Sequence, residues 1–157
     1  MYTYESFRVL IYAYITVFLT LFLLLVLHDV FRHIFSQLEE RYAPLLATIR
    51  EHHPSAPAVI PPTPFILPYP QAIEMLRSKG EQIGDFDDFS TAQEILLGQM
   101  VKETYGVDFY AIDQFPSALR PFYTMPNQTN SAYSNSYDLY LRGQEICSGA
   151  QRVHDPV

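Results

Sequence analysis

The sequence predicts an α+β fold with an antiparallel sheet, preceded by an N-terminal hydrophobic helix. Two short runs rich in aromatic and branched residues flank Arg142-Gly143, which is typical of a β-hairpin, and apolar residues recur at helical spacing upstream. A length of 157 residues fits one domain. The net charge of −7 argues against a free-standing nucleic-acid binder, because contacts with phosphate need a basic face.

The first 27 residues form a hydrophobic segment that we separate from residues 28–157. Residues 9–27 carry no charge and reach the length of ~18 apolar residues that a membrane-spanning helix needs. The run is long for a signal-peptide core, and no small-residue cleavage site follows it. Two interpretations stay open, a single-pass membrane anchor and translated non-coding sequence in a wrongly bounded gene.

Apolar residues at helical spacing predict an amphipathic helix over residues 28–52, interrupted near Pro44. Its inward face comprises Val30, Phe31, Ile34, Phe35, Leu38, Leu45, Leu46 and Ile49. The further elements, in order, are a strand over 65–67 in a proline-rich connector, a helix over 69–80, a helix from Ser90 or Thr91 to about Tyr105, and strands over 108–112 and 121–124.

The C-terminal hairpin is the most informative element. With Arg142 and Gly143 as the turn, Tyr140 faces Glu145 and Asp138 faces Cys147. Since residues two apart share a face, Asp138 and Glu145 point to one side. The apolar residues Leu139, Leu141 and Ile146 point to the other.

Two carboxylates on one sheet face predict a Mg²⁺ site, because this ion takes one or two carboxylates and completes its shell with phosphate and water. The alternative is that Asp138 and Glu145 are simply solvated. A guanidinium can grip a carboxylate through two hydrogen bonds, which makes Arg152 a candidate for substrate binding. Simple alternation puts Arg152 on the apolar face, so we expect a bulge at Ser148-Gly149.

Residues 135–154 resemble the late catalytic-domain segment of cytosolic-type aspartyl-tRNA synthetases, which are class II enzymes. The similarity is carried by Asn135-Ser-Tyr-Asp138, Arg142-Gly-Gln-Glu-Ile146 and Ser148-Gly-Ala-Gln-Arg152. It continues upstream in collinear order through residues 120–126, 108–113, 96–103, 84–91 and 28–42. The resemblance therefore implies that residues 28–157 are part of a class II synthetase antiparallel-sheet catalytic domain.

The resemblance also implies substrates and roles. The family activates aspartate with ATP and Mg²⁺ and transfers it to tRNA, as a cytoplasmic homodimer. Asp138 and Glu145 match the carboxylates that hold Mg²⁺ against the ATP phosphates, and Arg152 matches the residue that reads the aspartate side chain. Ser148 and Gly149 line the same pocket.

The sequence departs from the family pattern in three places. Gln144 stands where a second Glu is usual, Cys147 stands where Leu is usual, and the loop over 127–133 lacks the usual prolines and lysine. The family motifs that build the dimer interface and hold the ATP α- and γ-phosphates are not found in residues 1–157. We therefore expect the chain to be inactive alone, and we assign no catalytic residue.

Two other functions stay open. One is a single-pass membrane-anchored interaction protein that reuses this piece of the fold, which partitioning of residues 9–27 into membranes would distinguish. The other is an unrelated small α+β binding module, which would not show the two-carboxylate face.

Overall fold

The fold is described from a computed structural model, which covers residues 4–154, with residues 4–20 described only as helix. In chain order the elements are α1 (Tyr4–Arg41), α2 (Ala43–His52), β1 (Ile66–Pro68), α3 (Tyr69–Ser78), α4 (Thr91–Tyr105), β2 (Phe109–Asp113), a 3-10 turn (Ser117–Leu119), β3 (Ser136–Leu141) and β4 (Gln144–Ala150). The strands form a sheet in the order β1-β2-β3-β4, in which only β1 and β2 pair in parallel. The predicted α+β class is confirmed.

Both faces of the sheet are covered by helices. Ile112 and Tyr140 belong to a core with α3 and α4, on what we call the α3–α4 face. Phe109 and Leu139 point the other way and form a second core with Leu24 of α1, on the α1 face. The carboxylate of Asp138 therefore lies on a face that is itself largely apolar, in contrast to the prediction that only the opposite face is apolar.

The predicted interruption near Pro44 is confirmed. The helix α1 ends at Arg41, and Pro44 lies in the first turn of α2, where an absent N–H removes no helical hydrogen bond. The predicted inward face is largely wrong, since much of it is exposed: Val30, Ile34, Leu38, Leu45 and Ile49. The reason is that the contact with the sheet is made near Leu24 and Phe31, whereas no residue of α2 is buried.

The hydrophobic segment is continuous with the following helix, because α1 runs through residues 27 and 28 without a break. Leu24 and Leu27 pack against the sheet, while residues 9–20 of the predicted apolar run lie outside the described side chains. Within the described part, Leu21–Arg41 is long and apolar enough to cross a membrane, by length and composition alone. A core helix passes the same test, so the domain boundary at 27/28 and the anchor stay predictions.

The two helices on the α3–α4 face begin and end as predicted. Pro70 lies in the first turn of α3. In α4, the Ser90 side chain accepts a hydrogen bond from the backbone N–H of Gln93, and the Gln93 side-chain oxygen accepts one from the backbone N–H of Ser90. Gly106 closes α4 in the left-handed conformation, with φ of 74°.

Loss of the Ser90 cap is expected to destabilise the chain. Ser90→Ala leaves the first N–H groups of α4 without their side-chain acceptor, which costs about 1 kcal/mol. Urea unfolding measures the change. Ser78→Ala is the matched control, because its hydroxyl bonds the Met75 carbonyl at the exposed end of α3, and it should change the free energy of unfolding by under about 0.5 kcal/mol. Equal effects of the two changes would contradict the capping role.

The strand predicted over residues 121–124 is wrong. The segment forms a turn closed by the Thr124 N–H, which donates to the Pro121 carbonyl at 2.9 Å. Within residues 4–154, one isolated bridge, between Thr124 and Arg152, joins it to the end of the hairpin. A strand at these residues would need a series of backbone hydrogen bonds to a neighbouring strand, and the turn forms in its place.

Candidate functional site

The site is built on the hairpin formed by β3 and β4, whose predicted turn is confirmed. Arg142 and Gly143 both have positive φ, 54° and 76°, as a two-residue turn requires. Asp108 holds this turn, since its carboxylate lies 2.8 Å from Lys102 and 3.5 Å from Arg142. These contacts and a backbone N–H from Val59 hold the pKa of Asp108 below its usual range, although burial opposes them.

The register differs from the prediction beyond the first two pairs. Tyr140 pairs with Glu145, but Leu139 then pairs with Cys147, so Ile146 is the extra residue of a bulge. Ile146 is 37% exposed and does not join the apolar face as predicted. The bulge lies two residues earlier than the expected site at Ser148-Gly149, because the irregularity falls between Leu139 and Tyr140 on the partner strand.

This bulge shifts the later residues of β4 by one position, as the prediction for Arg152 requires. Asp138 and Glu145 still share the α3–α4 face, and Asp138 now pairs with Ser148. Alternation continued from Ser148 places Arg152 on the same side as Asp138. The inserted residue thus brings Ser148, and by continued alternation Arg152, to the face that Asp138 and Glu145 already share.

Asp138 is the most constrained of these residues. It is 3% exposed, and its Oδ2 accepts a hydrogen bond from Nη2 of Arg120 at 2.6 Å. Its other carboxylate oxygen, Oδ1, is buried without a hydrogen-bond partner among the described residues. Burial raises the pKa of Asp138 to about 6, the charge of Glu145 adds to the rise, and the hydrogen bond from Arg120 opposes it.

The raised pKa of Asp138 gives stability a defined pH dependence. The folded carboxyl binds its proton at higher pH than the unfolded one, whose pKa is about 3.9. Its contribution to stability is thus present below pH about 4 and lost as the pH rises through about 6. Asp138→Asn should remove this downward slope in urea-unfolding free energies, and the exposed control Glu103→Gln should retain it. An unchanged slope in Asp138→Asn would contradict the assignment.

The donors present fit Mg²⁺. Glu145 is exposed, and its charge acts on Asp138 from the same face. Carboxylate oxygens are the hard ligands that Mg²⁺ prefers, and two of them are sufficient when phosphate and water supply the rest. Among the described residues no group of three or more His, Cys, Asp or Glu forms a closed metal cage. The unpartnered Oδ1 of Asp138 is a buried acceptor that a cation would satisfy.

Gly149 differs from the other predicted site residues. It pairs with Tyr137, and a side chain at this position would lie 2.4 Å from the Tyr137 hydroxyl. The residue is therefore required to be small by its neighbour on the α1 face. Only its backbone is free to line a pocket beside Ser148.

Arg152 lies after the end of β4 and is exposed. Its guanidinium carbon stands 4.0 Å from the centre of the Tyr123 ring, a cation–π contact that holds the side chain beside the turn over residues 121–124. No ion pair among the described residues involves Arg152, so its planar fork is available to an external carboxylate.

The residue that sequence reasoning missed is Arg120. Its segment was used for the family resemblance, but no role was assigned to it. Eighteen residues separate it from Asp138, and no local pattern joins the two. The sequence signal for Arg120 is weak, because it is a single arginine before Pro121 in a chain with few basic residues.

Comparison with known proteins agrees with the resemblance. The sequence model for tRNA synthetases class II (D, K and N) matches residues 14–157, and so begins within the hydrophobic segment. The cytoplasmic aspartate–tRNA ligase of Caenorhabditis elegans is 48% identical over 127 residues, which is 81% of this chain and 24% of that protein. The human cytoplasmic aspartate–tRNA ligase is 48% identical over 128 residues, 82% of this chain and 26% of that protein.

Solved structures show the same relationship. The aspartyl tRNA synthetase from Entamoeba histolytica superposes with a TM-score of 0.79 at 50% identity, over 83% of this chain and 27% of that one. A putative aspartyl-tRNA synthetase from Leishmania major Friedlin gives a TM-score of 0.73 at 34% identity, over 83% of this chain and 32% of that one. This chain spans about a quarter of the length of the curated relatives it matches. By the extent of the family match, the chain belongs to the class II tRNA synthetases of the D, K and N group.

Proposed function

We propose that this chain is part of the catalytic domain of a cytoplasmic aspartate–tRNA ligase, with aspartate, ATP and tRNA as substrates. The observation that supports it most is the shared face of Asp138 and Glu145, in a chain 48% identical to ligases of that name. The proposal concerns the part of the reaction that these residues can perform, which is binding and orienting the substrates of aspartate activation.

Asp138 and Glu145 are proposed to hold Mg²⁺ against the phosphates of ATP. The ion would neutralise charge on the triphosphate as pyrophosphate leaves, and catalysis of such transfers is mostly positioning and charge neutralisation. The two residues contribute differently. Asp138 is buried and fixed by Arg120, whereas Glu145 is exposed at the start of β4 and can adjust to the nucleotide.

Arg152 is proposed to read the side-chain carboxylate of aspartate, with Ser148 and the backbone of Gly149 beside it. A planar guanidinium pairs with two carboxylate oxygens at once, and asparagine offers only one acceptor and no charge. The stacking of Arg152 on Tyr123 limits the freedom of the guanidinium before substrate arrives. Selectivity for aspartate over asparagine follows from this pairing.

The test is a complete enzyme that carries this segment. Residues 28–157 replace the matching part of the Caenorhabditis elegans relative, and aspartate-dependent exchange of pyrophosphate into ATP is measured. We expect exchange to persist in the chimaera. Asp138→Asn and Glu145→Gln should each lower it about tenfold, and excess Mg²⁺ should partly restore it.

Glu103→Gln is the matched control, because Glu103 is an exposed acid at the end of α4 whose contact with Lys79 spans 3.8 Å. It should leave exchange within about twofold of the chimaera, as surface pairs of this kind contribute little. The proposal is wrong if Asp138→Asn and Glu145→Gln behave like Glu103→Gln in a chimaera that is active.

A further inference from the structure

We propose that Arg120 is a positioning residue of the metal site, which holds Asp138 by one carboxylate oxygen so that the other is presented to a divalent cation. The inference rests on the proposed function, because it takes Asp138 as a metal ligand. Arg120 would not touch the cation or the substrates but would act through Asp138.

The pair is fixed in its geometry. The Arg120 and Asp138 side chains are 18% and 4% exposed, and Nη2 of Arg120 lies 2.6 Å from Oδ2 of Asp138. A hydrogen bond between two charged groups at this distance is among the strong ones in proteins. It is directed at one oxygen, and Oδ1 of Asp138 is buried without a hydrogen-bond partner in the part of the chain that the structure describes.

The Arg120 side chain is itself held in place by an aromatic ring. Its guanidinium carbon lies 4.0 Å from the centre of the Phe115 ring. Phe115 is buried and packs against Tyr69 and Phe89, with ring centres 5.1 and 6.2 Å away. Arg120 therefore packs against the aromatic core between the sheet and α3, and its guanidinium has little freedom to move away from Asp138.

The two carboxylate oxygens of Asp138 differ, because Oδ2 is bonded to Arg120 and Oδ1 has no partner among the described residues. This difference points to a metal ligand. A buried carboxylate oxygen without a partner costs free energy, and such groups in native proteins commonly have a functional reason. Hydrogen bonds from neighbouring residues orient metal-binding carboxylates, and their loss typically lowers metal affinity about 10- to 100-fold. Arg120 has the position and chemistry of such a residue.

A simple charge effect predicts the opposite outcome. Arg120 is a cation beside a proposed cation site, so removing its charge would reduce repulsion and tighten binding of a divalent ion. If Arg120 positions Asp138, its removal weakens binding in spite of this gain. The sign of the change therefore separates the two roles.

The experiment titrates the 157-residue chain with Mn²⁺ as the probe for a Mg²⁺ site and reads free Mn²⁺ by electron paramagnetic resonance. Arg120→Met keeps an unbranched apolar stem but removes the charge and the donors, and should weaken Mn²⁺ binding about tenfold or more. Arg77→Met is the control, because it removes the same charge from an arginine that bonds Asp85 and the Ile83 carbonyl and not Asp138, and it should leave Mn²⁺ binding within about twofold.

A double-mutant cycle gives a measurement of Mn²⁺ binding that would not change in the expected way if Arg120 were only a structural residue. In the Asp138→Asn background, Arg120→Met should cause no further loss of Mn²⁺ binding, since Arg120 acts through Asp138. Circular dichroism melts check that each variant is folded. If Arg120→Met is unfolded at the assay temperature, Arg120→Lys replaces it and should weaken binding several-fold, because a shorter ammonium cannot reach the same position from the Phe115 ring.

Unchanged or tighter Mn²⁺ binding in the folded Arg120 variant, with binding weakened in Asp138→Asn, overturns the inference and leaves the metal site intact. If Mn²⁺ binding to the unaltered chain is absent, or is insensitive to both Asp138→Asn and Glu145→Gln, the metal site is overturned together with the role of Arg120. The two failures are thus distinguishable in one set of titrations.

Discussion

Replacing Arg152 by lysine in the chimaeric enzyme is expected to raise the concentration of aspartate needed for half-maximal exchange about 10- to 100-fold. Lysine keeps the charge but loses the planar fork, so one of the two hydrogen bonds to the aspartate side chain is lost. Hydrogen bonds to charged groups contribute about 1.5–3 kcal/mol, and about 1.4 kcal/mol is tenfold in affinity. The ATP dependence should stay within about twofold, because Arg152 is not proposed to contact the phosphates.

The measurement is a kinetic comparison in which aspartate, ATP and Mg²⁺ are varied separately. Arg77→Lys is the control, since Arg77 is a half-exposed arginine on α3, distant from the hairpin in sequence and paired with Asp85. It should change neither dependence. If Arg152→Lys leaves aspartate use unaltered, Arg152 is a structural residue whose function is its stacking on Tyr123.

The largest effect on stability is expected from Gly98→Ala, at about 3 kcal/mol. Gly98 lies in the middle of α4, where alanine normally stabilises a helix. Here an added methyl group would lie 2.4 Å from the backbone nitrogen of Gly143 and 2.8 Å from the carbonyl carbon of Arg142. These are backbone atoms of the hairpin turn and cannot rotate away, so α4 and the hairpin must separate.

Gly106→Ala is the matched control for Gly98→Ala. Gly106 has φ of 74° and nothing within 4 Å of an added methyl group, so its cost is the backbone strain alone, about 1 kcal/mol. Urea unfolding of the three chains measures both changes. A Gly98→Ala chain that is as stable as the unaltered chain would show that the hairpin is not held against α4 by this close approach.

Local chemistry was sufficient to predict several elements. The cap formed by Ser90 and Gln93, the proline at the start of α3 and the positive-φ turn at Arg142-Gly143 are all decided by neighbours a few residues apart. The shared face of Asp138 and Glu145 also follows from strand alternation across a two-residue turn. These predictions are confirmed because the interactions that decide them join residues that are close together in the sequence.

Contacts between distant segments decided what the sequence could not show. The bulge at Ile146 depends on how β4 meets β3 beyond the turn, and alternation continued from the shifted register places Arg152 on the side of Asp138. The pairing of Arg120 with Asp138 and the approach of Gly98 to Gly143 join segments 18 and 45 residues apart. The sequence by itself determined the family, most of the helices and strands and the shared face of the two carboxylates. Which oxygen of Asp138 is held, and by what, was decided by the tertiary structure, because the folded chain alone brings that arginine and that carboxylate together away from water.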